Sequence, residues 1–500
     1  MGAGKFSRMK RVVIVGGGIT GLATAYALEK SGEPCEVRLI EAAPRLGGNL
    51  VTFNHNGFTI DGGPDSWVAT KPHATRLAKA VGLGDELIGT RPDTRKVYIV
   101  WKKELHAMPE GLVMGIPTEW RPFAQTELFG LDTKLRALLE PIIPKKIYAG
   151  DEDESIASFI ERRLGSDICD RIAGPLLGGI FAGDPGSLSV RACVPQLVEA
   201  EAKYGSLVRA MRALRASRKA AAGAAETEAS TFLSLKRGMG DLITYVAHRL
   251  RDAELTTDCA AKRVSRLPAG DARGRWAVET TRETYYADHV ALTVPAHASA
   301  GMVRDLDPTL SSMLGAMRYV STATVFLAYR KYDVRHPLDA VGFLVPRGEN
   351  RPILACTFVS SKWDHRAPSG QALMRVFIGG AGAEHHLAHD DEALARLARE
   401  QLYDLIGIER PPTFTKVFRF HRASPQPTVG HLGRMRTLLE RVASWEGLHV
   451  AGNGFIGTGI PDSIKQGEEV AARIAGSRLS LDPSERVTAD PLSAPPSLAR

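Results

Sequence analysis

Cysteine is scarce: Cys35, Cys169, Cys193, Cys259 and Cys356 are the only thiols in 500 residues, far apart and with no CxxC pair among them. This leaves no disulfide framework and points to free thiols in a reducing compartment, so a cytoplasmic location is expected. Long hydrophobic runs are missing as well. No stretch approaches the ~18 apolar residues of a membrane-spanning helix, and the apolar run in MGAGKFSRMKRVVIVGGG, Val12 to Val15, is too short for a signal peptide. Aromatic residues make up 7%, and no basic run interleaves with them, which sets nucleic acid aside as a partner. No internal repeat is evident. His385 and His389 in EHHLAHDD have no further ligand cluster beside them, so no metal is assigned, and the run reads as a surface loop leading into the helix DEALARLARE.

With 44% hydrophobic and 24% charged residues, the composition is that of an ordinary globular protein. The length exceeds the size at which one core stops growing, so about two or three domains are expected, at least one assembled from separated segments. A formal charge of +8 fits anionic substrates, a lipid surface or a plain solvated surface.

Residues 11 to 32, RVVIVGGGITGLATAYALEKSG, join the strand Val12, Val13, Ile14 and Val15 to a three-glycine turn and a helix that ends at Gly32. Ile19, Leu22, Ala23, Tyr26 and Ala27 share one face of that helix. Gly16 permits the tight turn, Gly18 lets a pyrophosphate approach the backbone, and Gly21 lets helix and strand pack closely, while the helix N-terminus stabilises the phosphate charge. A second strand, CEVRLIEA, ends in Glu41, 20 residues after Gly21, where a carboxylate accepts the hydrogen bonds of an adenosine ribose diol. Strand, turn, helix, strand and acid in register mark a dinucleotide site and leave NAD and FAD both open. In EAAPRLGGNLVTF, Arg45 precedes Leu46, Gly47 and Gly48, so a cation and two backbone N–H groups wrap the far side of a pyrophosphate, an addition rare in NAD domains. In NGFTIDGGPDSW, Phe58 and Ile60 alternate as a strand, and Gly62, Gly63 and Pro64 make either a bend passing close to a flat ring or a plain hairpin turn.

GGGITGL, Glu41, APRLGG and GFTIDGGPDS resemble the amine-oxidase-like flavoproteins, a superfamily that includes amine oxidases, carotenoid desaturases and porphyrinogen oxidases and binds FAD in an extended form. Residues 447 to 474, GLHVAGNGFIGTGIPDSIKQGEEVAARI, are similar to the superfamily's C-terminal segment: a strand from Leu448 to Ala451, a glycine turn and a helix from about Asp462. By the resemblance, this segment returns to the first domain and closes on the ribityl chain and flavin. GGIFAGDPGSLSVRACVPQL, MPEGLVMGIPTEW and ACTFVSSKWDHRAP resemble porphyrinogen oxidases, the last two those of the Gram-positive type that oxidises coproporphyrinogen III. SPQPTVGH resembles the family's PQYxxGH with Pro427 in place of the aromatic. The likeness runs from about residue 9 to residue 476.

The resemblance implies an α/β class, α+β overall, with a Rossmann-like FAD-binding domain from segments 8–86, 230–304 and 443–478. It further implies a mixed-sheet substrate domain from 87–109 and 305–442, a helical domain at 110–220 and a flexible tail at 479–500. FAD contacts are expected at Gly16, Gly17, Gly18, Ile19, Thr20 and Gly21, at Glu41 and Ala42, and at Arg45, Gly47, Gly48 and Asn49. Others are expected at Gly63, Pro64, Asp65 and Ser66, at the backbone of Val264, and at Gly452, Asn453, Gly457, Thr458, Gly459 and Ile460. Gly179 is expected to present its carbonyl to the pyrrole N–H groups of a tetrapyrrole. Phe343, Leu344, Phe377 and Ile378 are read as apolar walls of its pocket or as core, and Arg91 as a propionate partner. The implied reaction is a six-electron, FAD-dependent oxidation of a porphyrinogen with O2 as acceptor, giving H2O2, in heme biosynthesis. Coproporphyrinogen III is favoured over protoporphyrinogen IX; an amine oxidase or polyene desaturase, or a flavin-bound subunit without activity, are the rival readings. The basic helix SLVRAMRALRASRK, with Leu207, Met211 and Leu214 on one side, is either a solvated face or a contact with anionic lipid, and no oligomeric state is read.

Overall fold

Val12 to Val15 are buried without alternation, as a strand covered on both faces requires. In the computed structural model, which describes residues 9–94, 96–222 and 230–476 (218–222 by backbone alone), strand Lys10–Val15 lies between Cys35–Ile40 and His289–Leu292, all parallel. Glu254–Thr256 adds to one side and Leu448–Val450 to the other. Separated stretches of chain therefore meet in one sheet: Val290 pairs with both Val13 and Leu448.

Helix Ile19–Lys30 follows the glycine turn, and Gly32 just beyond it adopts φ +75°. The sequence pattern predicts one buried face. In the structure Ile19 to Ala25 and Leu28 are all buried, because helices Gly240–Arg249 and Ile460–Ala475 pack on it as well as the sheet. The approach is close: a Cβ on Gly467 would stand 2.6 Å from the carbonyl oxygen of Thr20. Lys10 Nζ donates to the carbonyls of Ile474 and Ala475 at 2.8 and 3.1 Å, so the two ends of the described chain are joined directly.

A seven-stranded sheet runs in the order Phe414–Pro425, Tyr319–Arg330, Gln371–Gly379, Ile353–Phe358, Ala340–Leu344, Lys96–Trp101, Glu104–Ala107. Its neighbours are antiparallel except Ala340–Leu344 with Lys96–Trp101. Helix Asp391–Ile406, which Asp390 caps through the N–H of Ala393, buries Leu394, Ala398 and Leu402 against one face. EHHLAHDD forms the short turn that leads into it.

A third body is mostly helical, with Phe123, Phe159, Ile160, Ile172, Leu177, Leu197 and Met211 in its core. Helix Leu207–Ala222 belongs to this body. Leu207, Met211 and Leu214 are buried, Arg212 Nε donates to the carbonyl of Thr118 at 3.0 Å, and Arg215 pairs with Glu119. The helix is a packed element with a polar outer face, not a free amphipathic strip. The five thiols are free, and among the described residues no helix is long and apolar enough to cross a membrane. The tail at 479–500 and most of the alanine-rich connector lie outside the described residues.

Candidate active site

At the end of strand Lys10–Val15 the chain turns through Gly16 at φ +110°, where a Cβ would stand 2.7 Å from the Val294 side chain. A Cβ on Gly21 would overlap the carbonyl oxygen of Gly16, whereas one on Gly18 would meet nothing within 4 Å. The three glycines thus divide the work as their spacing predicts: turn, helix contact and open approach. Gly18 caps helix Ile19–Lys30 without any side-chain acceptor, so the first N–H groups of the helix point outward as an anion site. Thr293, not anticipated from the sequence, ties the turn down by donating to the carbonyls of Val15 and Gly16 at 2.9 and 3.0 Å.

The APRLGG loop lies against this turn. Gly47 N donates to Gly17 O at 2.8 Å, Gly18 and Gly47 form a parallel bridge, and Gly48 adopts φ +56° with only Gly18 Cα nearby, at 3.7 Å. Two stretches of bare backbone therefore face each other. Arg45 departs from expectation: its guanidinium donates to the carbonyls of Leu46, Leu50 and Gly48 at 3.1, 3.3 and 2.7 Å. It shapes the loop and keeps two N–H donors free. Glu41 accepts from Gly17 N at 2.7 Å and from Ala43 N at 2.8 Å, and each carboxylate oxygen keeps a further lone pair for a diol. The side chain of Val264 is wholly buried, so its backbone alone can face a ligand.

The Gly62–Gly63–Pro64 bend is anchored from the seven-stranded sheet. Arg375, buried, donates to the carbonyls of Gly62 and Gly63 at 3.0 and 2.6 Å, and Thr324 donates to Gly62 at 2.9 Å. The Arg375 guanidinium lies 4.5 Å from the centre of the Phe377 ring. Ser66 donates to Asp65 at 2.8 Å, and Asp65 accepts from Lys362 Nζ and Trp363 Nε1 at 2.9 and 3.0 Å. Burial acts to raise the Asp65 carboxyl, but Lys362 and Arg375 outweigh it and hold the group far below the usual carboxylate range. The sequence signal for this cluster was SSKWDHRAP, which carried a resemblance but no assigned role.

The C-terminal turn completes the cradle. Gln466 accepts from Gly452 N at 3.1 Å and donates to Ile456 O at 2.7 Å, and Asp462 accepts from Thr458 N at 3.2 Å and Lys71 Nζ at 2.7 Å. Asn453 Oδ1 accepts from Gly459 N at 3.4 Å. Gly459, at φ +112°, starts helix Ile460–Ala475, again with no side-chain cap, and Ile460 itself is buried.

On the substrate side Gly179 is exposed, and its carbonyl accepts from Ala182 N at 3.2 Å, leaving one lone pair. Gln426 Nε2 donates to Phe181 O at 2.9 Å, and Pro427 O accepts from Ser189 N at 2.8 Å. The proline that replaces the family's aromatic therefore makes its contact through the backbone. The four expected wall residues separate. Leu344 and Phe377 fall in one register row with Ala355, Thr324 and Phe418, half-buried on the face nearer the glycine bend. Phe343 and Ile378 point the other way, into the core under helix Asp391–Ile406; their assignment as pocket walls is corrected, because alternate residues of a strand face opposite sides. Arg91 is held by surface ion pairs. Its guanidinium is engaged by Asp93 at 2.9 Å and Asp364 at 3.4 Å on an exposed loop.

The model of the family "Flavin containing amine oxidoreductase" matches residues 19–475. The chain belongs to that family. Among curated relatives, coproporphyrinogen III oxidase of Bacillus subtilis (strain 168) is 36% identical over 92% of this chain and 96% of its own length. That of Staphylococcus aureus (strain NCTC 8325 / PS 47) is 30% identical over 93% and 99%. A crystal structure from Exiguobacterium sp. 255-15, described as a candidate protoporphyrinogen oxidase, shares 33% identity and a TM-score of 0.81 over 93% of this chain and 98% of that one. The flavin-containing amine oxidoreductase described here is an FAD-dependent oxidoreductase of the porphyrinogen oxidase branch. Its cradle fits that cofactor: two uncapped helix N-termini, a backbone floor where only glycine leaves room, and Glu41 beside the turn. In this oxidoreductase opposite ends of the sequence meet at the turn: Gly47 is bonded to Gly17, Gly63 packs on Asn49, and Gly452 lies beside Thr20.

Proposed function

We propose that the protein oxidises coproporphyrinogen III to coproporphyrin III, with O2 as the final acceptor and H2O2 as its product. The observation that carries this reading is likeness along nearly the whole chain to three coproporphyrinogen III oxidases, at 30 to 36% identity, joined to a cradle whose glycines leave room only for a bound group. When bound, FAD supplies a two-electron oxidant, so removal of six hydrogens takes three rounds. The gain in macrocyclic aromaticity drives the change, and the chain's task is to hold the substrate and keep water out. Arg375 and Thr324 hold the Gly62–Gly63 bend, Leu344 and Phe377 offer an apolar surface, and the free lone pair of the Gly179 carbonyl accepts from pyrrole N–H groups. The test incubates FAD-loaded protein with each porphyrinogen in air and follows porphyrin fluorescence. Acceleration over autoxidation with coproporphyrinogen III is expected; none with either substrate overturns the reading, and preference for protoporphyrinogen IX replaces it.

Contact with a membrane surface belongs to the same proposal and moves to a different element from the basic helix. Leu131, Leu135, Leu138, Leu139 and Ile142, on and after helix Leu131–Leu138, are 48 to 74% exposed, and Ile147 is 81% exposed, with Lys134, Lys145 and Lys146 among them. Uncovered leucines bordered by lysines suit an anionic bilayer surface.

A further inference from the structure

A cleft of about 820 Å³ opens between the turn that joins strands Ala340–Leu344 and Ile353–Phe358, the loop after Gly379, and the start of helix Asp391–Ile406. Arg347, Arg351 and Arg396 line it together with the imidazoles of His385, His386 and His389 and one carboxylate, Glu400. Arg351 is taken by Asp404 at 2.6 Å and Gln401 at 2.9 Å. Arg396, exposed, has neither ion pair nor hydrogen bond among the described residues, and Arg347, half open to solvent, stands 3.9 Å from the Asp184 carboxylate. The ring centres of His385 and His386 are 4.1 Å apart, those of His386 and His389 6.5 Å. Burial first, then these two neighbours, keeps His386 below the usual imidazole value. Such a cluster is relieved by an anion.

The wall of the cleft is bonded to the segment that the substrate reading places beside the macrocycle. Ala381 N donates to Ala182 O at 2.8 Å, Arg347 Nη2 donates to Gly183 O at 3.2 Å and Ala381 O at 2.9 Å, and a Cβ on Gly380 would come within 2.6 Å of Ala182 O. Arginines from two elements, and imidazoles from the turn between them, thus converge on a wall bonded to the segment just after Gly179. Single-point attraction to one phosphate would not need that spread; a flat molecule carrying several carboxylates would.

We propose that this cleft is a second tetrapyrrole site, which holds the propionate carboxylates of the porphyrin product once it has left the flavin. The proposal rests on the substrate reading above. Guanidinium groups bind carboxylates by charge-assisted hydrogen bonds and imidazole N–H groups donate to them as well, and the product carries its carboxylates at the rim, where separated donors reach them.

The test titrates coproporphyrin III into the FAD-loaded protein and follows its fluorescence anisotropy and stoichiometry. Two equivalents are expected to bind. In Arg396→Glu combined with His389→Gln one of them weakens about tenfold or more, Arg396→Lys retains it, and the tetramethyl ester of coproporphyrin III does not occupy it. Initial rates of coproporphyrinogen III oxidation stay within about twofold, because neither residue touches the cradle. Retained FAD absorbance reports that the variants fold; if the double variant loses it, Arg396→Gln, on an exposed helix surface, serves in its place. A single equivalent in the parent protein, or two of undiminished affinity in the variant, overturns the proposal. Two carboxylate-dependent equivalents without porphyrinogen oxidation support the cleft and overturn the substrate reading alone, and oxidation with one equivalent does the reverse.

Discussion

Phe343 and Phe377 stand two strands apart in one sheet and meet opposite fates. Phe343 is 1% exposed and packs edge-on against Phe358, whereas Phe377 is half-buried beneath the Arg375 guanidinium. Phe343→Ala is expected to cost about 3 to 5 kcal/mol of stability through the cavity it leaves, read as a lower unfolding temperature, with an unchanged KM in the protein that folds. Phe377→Ala is expected to leave unfolding nearly unmoved and to raise KM for the porphyrinogen about tenfold, since one apolar side chain supplies roughly 1.5 to 3 kcal/mol of burial. Equal KM for the two variants would refute the assignment of faces. The sequence presented FL and FI as like pairs, and nothing local in either says which member faces the core. Arginines were equally opaque. Arg45 and Arg91 read as free cations because the acceptors that engage them, the carbonyls of Leu46, Leu50 and Gly48, and Asp93 and Asp364, are chosen by loop geometry.

At the scale of the element, helix Pro308–Gly315 shows how one carboxylate joins two segments. Asp307, 3% exposed, caps the helix by accepting from Leu310 N at 2.9 Å, pairs with Arg441 at 2.8 Å and accepts from Trp445 Nε1 at 2.9 Å. Burial acts to raise its carboxyl, but Arg441, the Leu310 N–H and Trp445 together bring it down to about 2. The folded value lies below the ordinary ~3.9 of the unfolded chain, so the contribution is complete above that value and is lost as the pH falls through about 2. Asp307→Asn is therefore expected to lower stability by about 1 to 3 kcal/mol near neutrality, and the gap in unfolding temperature between parent and variant should close as the pH approaches 2. A gap that stays constant throughout would show that the carboxylate charge contributes nothing.

Helix Leu131–Leu138 is the opposite case, an element whose apolar side meets no partner. Leu135→Asp with Ile142→Asp is expected to abolish co-sedimentation with anionic phospholipid vesicles and to leave stability within about 0.5 kcal/mol, as for exposed positions generally. Undiminished sedimentation would remove the membrane proposal. Periodicity in the sequence reports that a face is apolar and not whether anything covers it. For the basic helix Leu207–Ala222 the sequence left a solvated face and a lipid contact both open, and the structure packs it against Thr118 and Glu119, partners invisible in the sequence.

For the molecule as a whole, the cradle exists only because the chain ends meet. Gly467 lets helix Ile460–Ala475 lie against Thr20, and Lys10 is bonded to the last turn of that helix. Gly467→Leu is expected to push the two helices apart at a cost of about 1 to 3 kcal/mol and to release FAD during gel filtration, although residue 467 is not itself a cradle contact. Full retention of the cofactor would mean that closure of the two ends does not hold it.

The sequence by itself determined the cradle, because the turn at Gly16, the open approach at Gly18 and the close contact at Gly21 are backbone requirements met within a few residues, and only glycine satisfies them. It also determined that the two ends belong to one FAD-binding enzyme, through motifs that are each contiguous. Tertiary structure alone decided which of Phe343 and Phe377 is buried in the core, which arginines remain free, where leucines lie bare, and that three histidines and Arg396 share a cleft. Those outcomes depend on partners brought from distant strands and helices, and burial and pairing of a side chain are settled by what packs over it, not by its neighbours in the chain.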